Sequence, residues 1–194
     1  MVSTTEESRK QIKHDENAKV KKTDEKKQPV LCIVGLGYVG LPLASSFSHH
    51  FKVIGFDVNQ EKVTTIKDQE QVTFDVDFNK ENVTLTSDES MIKEADIVII
   101  AVQTPVTKSK QPDMSYVKSA GEIIGRNLKK NAIVVLESTV YPGATEEELI
   151  PVLEQASKMN CGSDFSVGYS PERVNPGDKD HTIDKIIKFL DFNF

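Results

Sequence analysis

Three glycines, at 35, 37 and 40, stand directly after the apolar run Val30–Val34, and an apolar, helix-like segment follows them. A turn alone would need one or two. Between a strand and a helix, each of the three has its own use. Gly35 permits the tight turn, Gly37 lets backbone approach a pyrophosphate, and Gly40 lets helix and strand pack closely. The helix N-terminus beyond them offers free N–H groups and a partial positive charge to phosphate oxygens. The next apolar run ends in "VIGFDVN", so Asp57 stands 17 residues past Gly40, where an acid that binds ribose hydroxyls belongs. A carboxylate there accepts bonds from both hydroxyls and repels a 2′-phosphate, with no arginine nearby to compensate. The combination predicts a dinucleotide site that prefers NAD to NADP. The plainer alternative is a glycine-rich turn with Asp57 serving as a helix cap.

Two further polar stretches follow apolar runs: "AVQTPVTKSKQPD" and "LESTVYPGATEE". Open α/β sheets bind ligands at such strand ends, so Thr104, Ser138 and Thr139 are candidates to line the same crevice. Taken singly, each is more often a loop cap; their shared position at strand ends shifts the balance toward the crevice.

The elements that must position these residues are visible as alternating patterns. Val30–Val34, Lys52–Phe56, 97–102, Ile133–Leu136 and 165–169 read as strands, with a short one near Val83–Thr86. Most are rich in Val and Ile and lack two-residue alternation, as strands covered on both faces do. Residues 115–129 carry apolar side chains at 117, 120, 123, 124 and 128, a helical period. Thr145 with Glu148, and Thr86 with Glu89, have the spacing of capping boxes at helix starts. His49 and His50 fall where the first helix closes. Strand, helix, strand, repeated, predicts an α/β fold: a Rossmann-type, doubly wound, mostly parallel sheet in a single domain.

Composition bounds the rest. The 194 residues suffice for one domain with a real core. Residues 1–28 hold eight Lys/Arg and six Asp/Glu with almost no large apolar side chain, which predicts a disordered charged leader. The body, 29–194, keeps 16 basic and 24 acidic residues, a net charge of −8 that does not suit nucleic acid or a membrane surface. No apolar run approaches the roughly 20 residues of a membrane span, and the N-terminal residues lack the apolar h-region of a signal peptide. Two cysteines make no disulfide framework; Cys32, inside an apolar run, reads as a small buried hydrophobe. A reducing, cytoplasmic setting follows. No metal-ligand spacing is found.

With "GLGYVGLPLA", "QTPV…QPDMSYV", "LESTVYPGATEE" and "GYSPERVNPGD" in that order, the chain resembles the UDP-glucose/GDP-mannose dehydrogenase family. The likeness runs over roughly 29–184 and is strongest to the branch that oxidises UDP-N-acetyl-hexosamines, the mannosamine and glucosamine 6-dehydrogenases. It implies NAD-dependent oxidation of a sugar C6 alcohol to a carboxylate, for surface polysaccharide. In the family a cysteine captures the aldehyde, a second hydride transfer gives a thioester, and water hydrolyses it. Carried over by motif, Gly35, Gly37, Tyr38, Val39, Gly40, Asp57, Thr104, Ser138 and Thr139 would meet the cofactor. Glu172 and Thr139 become the catalytic candidates, Glu172 as or beside the base for the water step. Arg173, Val174 and Asn175 match the loop that lies against the nucleotide sugar; an ordinary solvated ion pair is the other reading of Glu172 and Arg173.

The chain also departs from that pattern. Gln103 stands where near relatives usually carry proline. The family's cysteine nucleophile, its oxyanion-stabilising lysine and asparagine, its linking helix and its nucleotide-sugar domain all lie on later segments. Cys161, in "KMNCGSDF", is far in sequence from the nucleophile position, and no cationic setting promises it a low pKa. After "HTIDKI" the ending "IKFLDFNF" replaces the family's continuation, which implies a truncated or frameshifted reading frame. The reading is the N-terminal half of such a dehydrogenase, inactive by itself, forming a homodimer where the linking helix is present. A stand-alone NAD-binding or partner-binding remnant is the alternative.

Overall fold

The computed structural model describes residues 28–68, 76–107, 112–170 and 191–193. The charged leader therefore falls outside the described residues, except Gln28. Within them, seven strands form one sheet: β1 (Val30–Val34), β2 (Lys52–Phe56), β3 (Val83–Thr86), β4 (Ile97–Ile100), β5 (Ile133–Leu136), β6 (Ser166–Tyr169) and β7 (Asp191–Asn193). Their order is β3-β2-β1-β4-β5-β6-β7. The first six are parallel, and β7 runs antiparallel to β6. The chain crosses from β3, at one edge, back to β4 beside β1, so the winding reverses between β1 and β4. The doubly wound, mostly parallel sheet expected from the sequence is borne out.

The absence of alternation has its cause in the packing. Along β1, Leu31 and Ile33 face one layer, with Leu41 and Leu43 of α1 (Gly40–Ser48) and Val63 and Ile66 of α2 (Gln60–Lys67). Cys32 and Val34 face the other, with Val117 and Ile124 of α3 (Ser115–Asn127) and Leu153 of α4 (Ile150–Ser157). A strand buried on both faces needs an apolar residue at every position. The registers Val34↔Phe56 and Val34↔Ile100 line up the C-terminal ends of the three central strands. Cys32 is fully buried in this core, as expected.

Both capping-box expectations need correction. Asp88, not Thr86, caps the 3₁₀ turn Glu89–Glu94, its carboxylate accepting from the Ser90 N–H at 2.9 Å. Thr86 Oγ1 instead accepts from the Asp88 N–H. Thr145 caps nothing: it is buried inside a wide π-turn, Thr145–Leu149, that leads into α4. Pro151 supplies the reason. It has no N–H for the Glu147 carbonyl, and its ring would crowd that carbonyl in an ordinary turn. A π-turn, closed by the Ile150 N–H on the Thr145 carbonyl, makes room.

Candidate functional site

The C-terminal ends of β1, β2, β4 and β5 open into a crevice of about 970 Å³. Gly35 lies at its floor with φ +96°, in the left-handed region, and its N–H donates to the Phe56 carbonyl at 2.8 Å. A Cβ at Gly40 would stand 1.8 Å from the Gly35 carbonyl oxygen, so this helix start can approach the strand only as glycine. A Cβ at Gly37 would meet nothing within 4 Å. The backbone at Gly37, Tyr38 and Val39 is thus left bare toward the crevice, beside the first turn of α1. In that turn the Leu41 and Leu43 N–H groups are already taken, by the Gly37 and Val39 carbonyls, and Pro42 has none. The free helix-start donors expected from the sequence are therefore largely spent, and the loop backbone at Gly37, Tyr38 and Val39 faces the crevice instead. This is a cradle shaped for phosphate oxygens, and its residues fit a dinucleotide.

Asp57, at the end of β2, is nearly buried and heavily committed. Its Oδ2 accepts from the Leu36 N–H at 2.9 Å and from Lys62 Nζ at 2.6 Å; its Oδ1 accepts from the Asn59 N–H at 3.0 Å. Burial pushes the carboxyl up, but the hydrogen bonds from Lys62, Asn59 and Leu36 and the charge of Lys62 outweigh it and hold the group below the usual carboxylate value. Asp57 is therefore a fixed anion beside the cradle. It does not stand alone, as the sequence argument assumed in looking only for arginine. Lys62, on the first turn of α2, sets a cation 2.6 Å from the carboxylate.

The far side of the crevice is built from loops. Thr104 Oγ1 donates to the Thr139 carbonyl at 2.7 Å, and Ser138 Oγ donates to the Val102 carbonyl at 2.5 Å. These two bonds stitch the loop after β4 to the loop after β5. Farther out, the Asp113 N–H donates to the Pro105 carbonyl at 2.8 Å, and Val106 pairs with Pro112. Thr104, Ser138 and Thr139 all line the crevice, as do Gly35, Gly37, Tyr38, Val39, Asp57 and Gln103. Gly40 does not; it acts by packing against Gly35.

Sequence reasoning missed Lys62, Glu137 and Tyr141, which also line the crevice. Glu137 is a nearly buried carboxyl at the end of β5, one residue before Ser138. It also missed the rim. Among the described residues, the large apolar side chains most open to solvent, Tyr38, Val58, Val106 and Tyr116, all lie on this crevice. Such a rim suits flat apolar rings such as adenine and nicotinamide. The four candidates Glu172, Arg173, Val174 and Asn175 lie outside the described residues. Neither cysteine is a thiolate: burial pushes Cys32 up to about 12, and burial together with the charge of Glu154 raises Cys161.

The NAD-binding domain of the UDP-glucose/GDP-mannose dehydrogenase family matches residues 30–188. Protein CapL of Staphylococcus aureus is 50% identical over 163 residues, covering 82% of this chain and 38% of that protein. A UDP-N-acetyl-D-glucosamine 6-dehydrogenase of Pseudomonas aeruginosa is 44% identical over 162 residues, covering 81% of this chain and 38% of its own length. The solved UDP-D-ManNAc dehydrogenase of Pyrococcus horikoshii superposes with a TM-score of 0.67 at 30% identity, over 76% of this chain and 37% of that one. The chain thus spans a little over a third of the length of these relatives. The strand-ending glycines, the Asp57–Lys62 pair and the stitched β4–β5 loops fall within the matched span. The chain belongs to the UDP-glucose/GDP-mannose dehydrogenase family, and its residues 30–188 are that family's NAD-binding domain.

Proposed function

We propose that this chain is the cofactor-binding part of an enzyme that oxidises the C6 alcohol of a UDP-N-acetyl-hexosamine to the uronic acid, in the cytoplasm, for surface polysaccharide. The observation that carries the reading is the crevice itself: a ribose acid at one end, a bare-backbone cradle in the middle and hydroxyl-stitched loops at the other. Bound NAD supplies the acceptor for hydride leaving the sugar carbon. The chain's own residues bind and orient. Asp57, kept anionic by its neighbours, takes the ribose hydroxyls, and Lys62 holds it in place. The loop backbone at Gly37, Tyr38 and Val39 takes the pyrophosphate. The loop pair Thr104–Thr139 forms the seat at the reacting end. Glu172 is assigned as, or beside, the base for the water step, with Thr139 as the second catalytic candidate and Arg173, Val174 and Asn175 against the substrate.

For the polypeptide by itself a second reading has an observation in its favour. Carrying an aldehyde on to a carboxylate through a thioester needs a thiolate. Cys32 is walled in at a raised pKa, and Cys161 is raised beside Glu154. Alone, the chain is an NAD-binding unit without turnover, and the sugar chemistry belongs to a longer protein that shares this domain. Titration calorimetry of the 194-residue chain with NAD and NADP tests the cofactor reading. NAD is expected to bind more tightly, by a margin that widens in Lys62→Met as the compensating cation is lost. Equal affinities in both proteins would sink the role given to Asp57. Incubation with NAD and UDP-N-acetylmannosamine, UDP-N-acetylglucosamine or UDP-glucose, followed by NADH absorbance, should show no turnover. Activity that survives Cys161→Ala would overturn this account of the isolated chain.

A further inference from the structure

Tyr141 lies two residues beyond Thr139, on the loop between β5 and the π-turn, and its ring stands between two cavities. On one side is the dinucleotide crevice. On the other is a polar cavity of about 620 Å³ whose walls include Asp113, Ser115, Lys118 and Glu148. The phenol is anchored from that outer side. Its hydroxyl donates to Glu148 Oε1 at 3.2 Å, and Glu148 Oε2 lies 2.5 Å from Lys118 Nζ. Three elements meet in this chain of contacts: α3 brings Lys118, the loop after β5 brings Tyr141, and the π-turn brings Glu148.

The network is an expensive way to stabilise a fold and a direct way to orient a ring. Both charged side chains are partly exposed, and an ion pair so placed contributes little to stability. The protonation states suit an anchor. Hydrogen bonding and charge from Lys118 lower Glu148, Glu148 raises Lys118, and burial followed by Glu148 raises Tyr141, so a neutral phenol donates to a fixed carboxylate. The π-turn that Pro151 imposes is what carries Glu148 at this point, and such turns recur at functional sites.

Which part of the ligand Tyr141 meets follows from the topology. The ribose acid Asp57 marks the β2 end as the adenosine half, and a dinucleotide crosses the point where the strand order reverses. The β5 end, with Thr139 and Tyr141, is left for the nicotinamide half. We propose that Lys118 and Glu148 are positioning residues that act through Tyr141 to hold the nicotinamide ring of the cofactor, an inference resting on the NAD-binding reading above.

The experiment compares NAD with ADP-ribose, which keeps everything except the nicotinamide ring. Both are titrated calorimetrically into the 194-residue chain and into Lys118→Met, Glu148→Gln, Tyr141→Phe and Lys118→Arg, with thermal melting of each. Lys118→Met, Glu148→Gln and Tyr141→Phe should each weaken NAD about fivefold, the scale of one lost anchoring hydrogen bond, and leave ADP-ribose unchanged. Lys118→Arg should restore NAD binding. Equal losses for both ligands would show a merely structural network, and unchanged NAD affinity would show that the ring needs no anchor; either result overturns the proposal. Tyr141→Phe keeps the ring and the packing, so it stands as the test should a charge variant fold poorly. A parent chain that binds neither ligand would sink the cofactor reading itself, an outcome distinct from either of these.

Discussion

At the β2 end of the crevice one buried carboxylate, Asp57, is gripped by two backbone N–H groups and by Lys62. At the β4–β5 end Glu137 also buries a carboxyl, but the loops themselves are tied together by neutral groups. There the hydroxyls of Thr104 and Ser138 reach across to carbonyls of the neighbouring loop, and an exposed Thr139 is held through its backbone carbonyl. The first end is preset by electrostatics in a poorly solvated place, where a wrong group meets a fixed charge. The second is preset by neutral hydrogen bonds between loops, each worth about 1 kcal/mol, and leaves room for adjustment. On the proposed reading, the first end takes the unchanging adenosine and the second takes the ring that passes between two redox states.

The comparison is broken most severely where the two ends meet. Gly40→Val drives a side chain into the Gly35 carbonyl, and no rotation relieves a backbone collision that begins at Cβ. We expect destabilisation of about 3 kcal/mol in urea titration and no NAD binding by calorimetry. Folding and binding close to the parent would mean that the close approach at Gly40 is dispensable. Next comes the charged end. Asp57→Ala should weaken NAD and ADP-ribose alike by about 1–3 kcal/mol, because both carry the adenosine ribose. The same residue sets a pH signature. Its folded pKa lies below the ordinary value of 3.8, so its contribution is complete at neutral pH and is lost as the pH falls through that value toward the folded one. Asp57→Asn should therefore flatten the acid limb of the melting temperature while leaving the profile above pH 6 parallel to the parent's. The smallest effect belongs to the neutral end. Thr104→Val removes one donor from the Thr139 carbonyl and should cost about 0.5–1.5 kcal/mol of stability, with NAD weakened and ADP-ribose untouched. A loss at the β4–β5 end as large as that from Asp57→Ala would erase the distinction between the two ends.

Much of the scaffold was legible because two-sided burial leaves a plain mark. Val30–Val34, Lys52–Phe56, Val83–Thr86 and Ile133–Leu136 are strands with the bounds read from their apolar runs. The strand over 97–102 closes earlier, at Ile100, where the chain turns outward to build the crevice wall. That over 165–169 begins at Ser166. The glycines and Asp57 were legible because each answers a local backbone or ligand demand. Lys62 was not: a lysine in the first turn of a helix looks like any solvated charge, and only folding brings it to Asp57. Glu148 was misread for a related reason. Three residues after a threonine, it has the spacing of a capping box, yet a proline six residues beyond that threonine widens the turn and sends it to Lys118 and Tyr141. Spacing reports a motif only while the helix keeps its ordinary pitch.

The contact between Lys62 and Asp57 also governs how quickly a ligand can arrive. Two opposite charges 2.6 Å apart cancel at a distance, so Asp57 projects little field into solvent from the crevice. A dinucleotide with a charged pyrophosphate approaches a body that is acidic overall, and without that cancellation it would meet a repulsive entrance. With it, encounter is governed by diffusion and by the fit of the rings against the rim rather than by long-range attraction. Added salt should then change the association rate little.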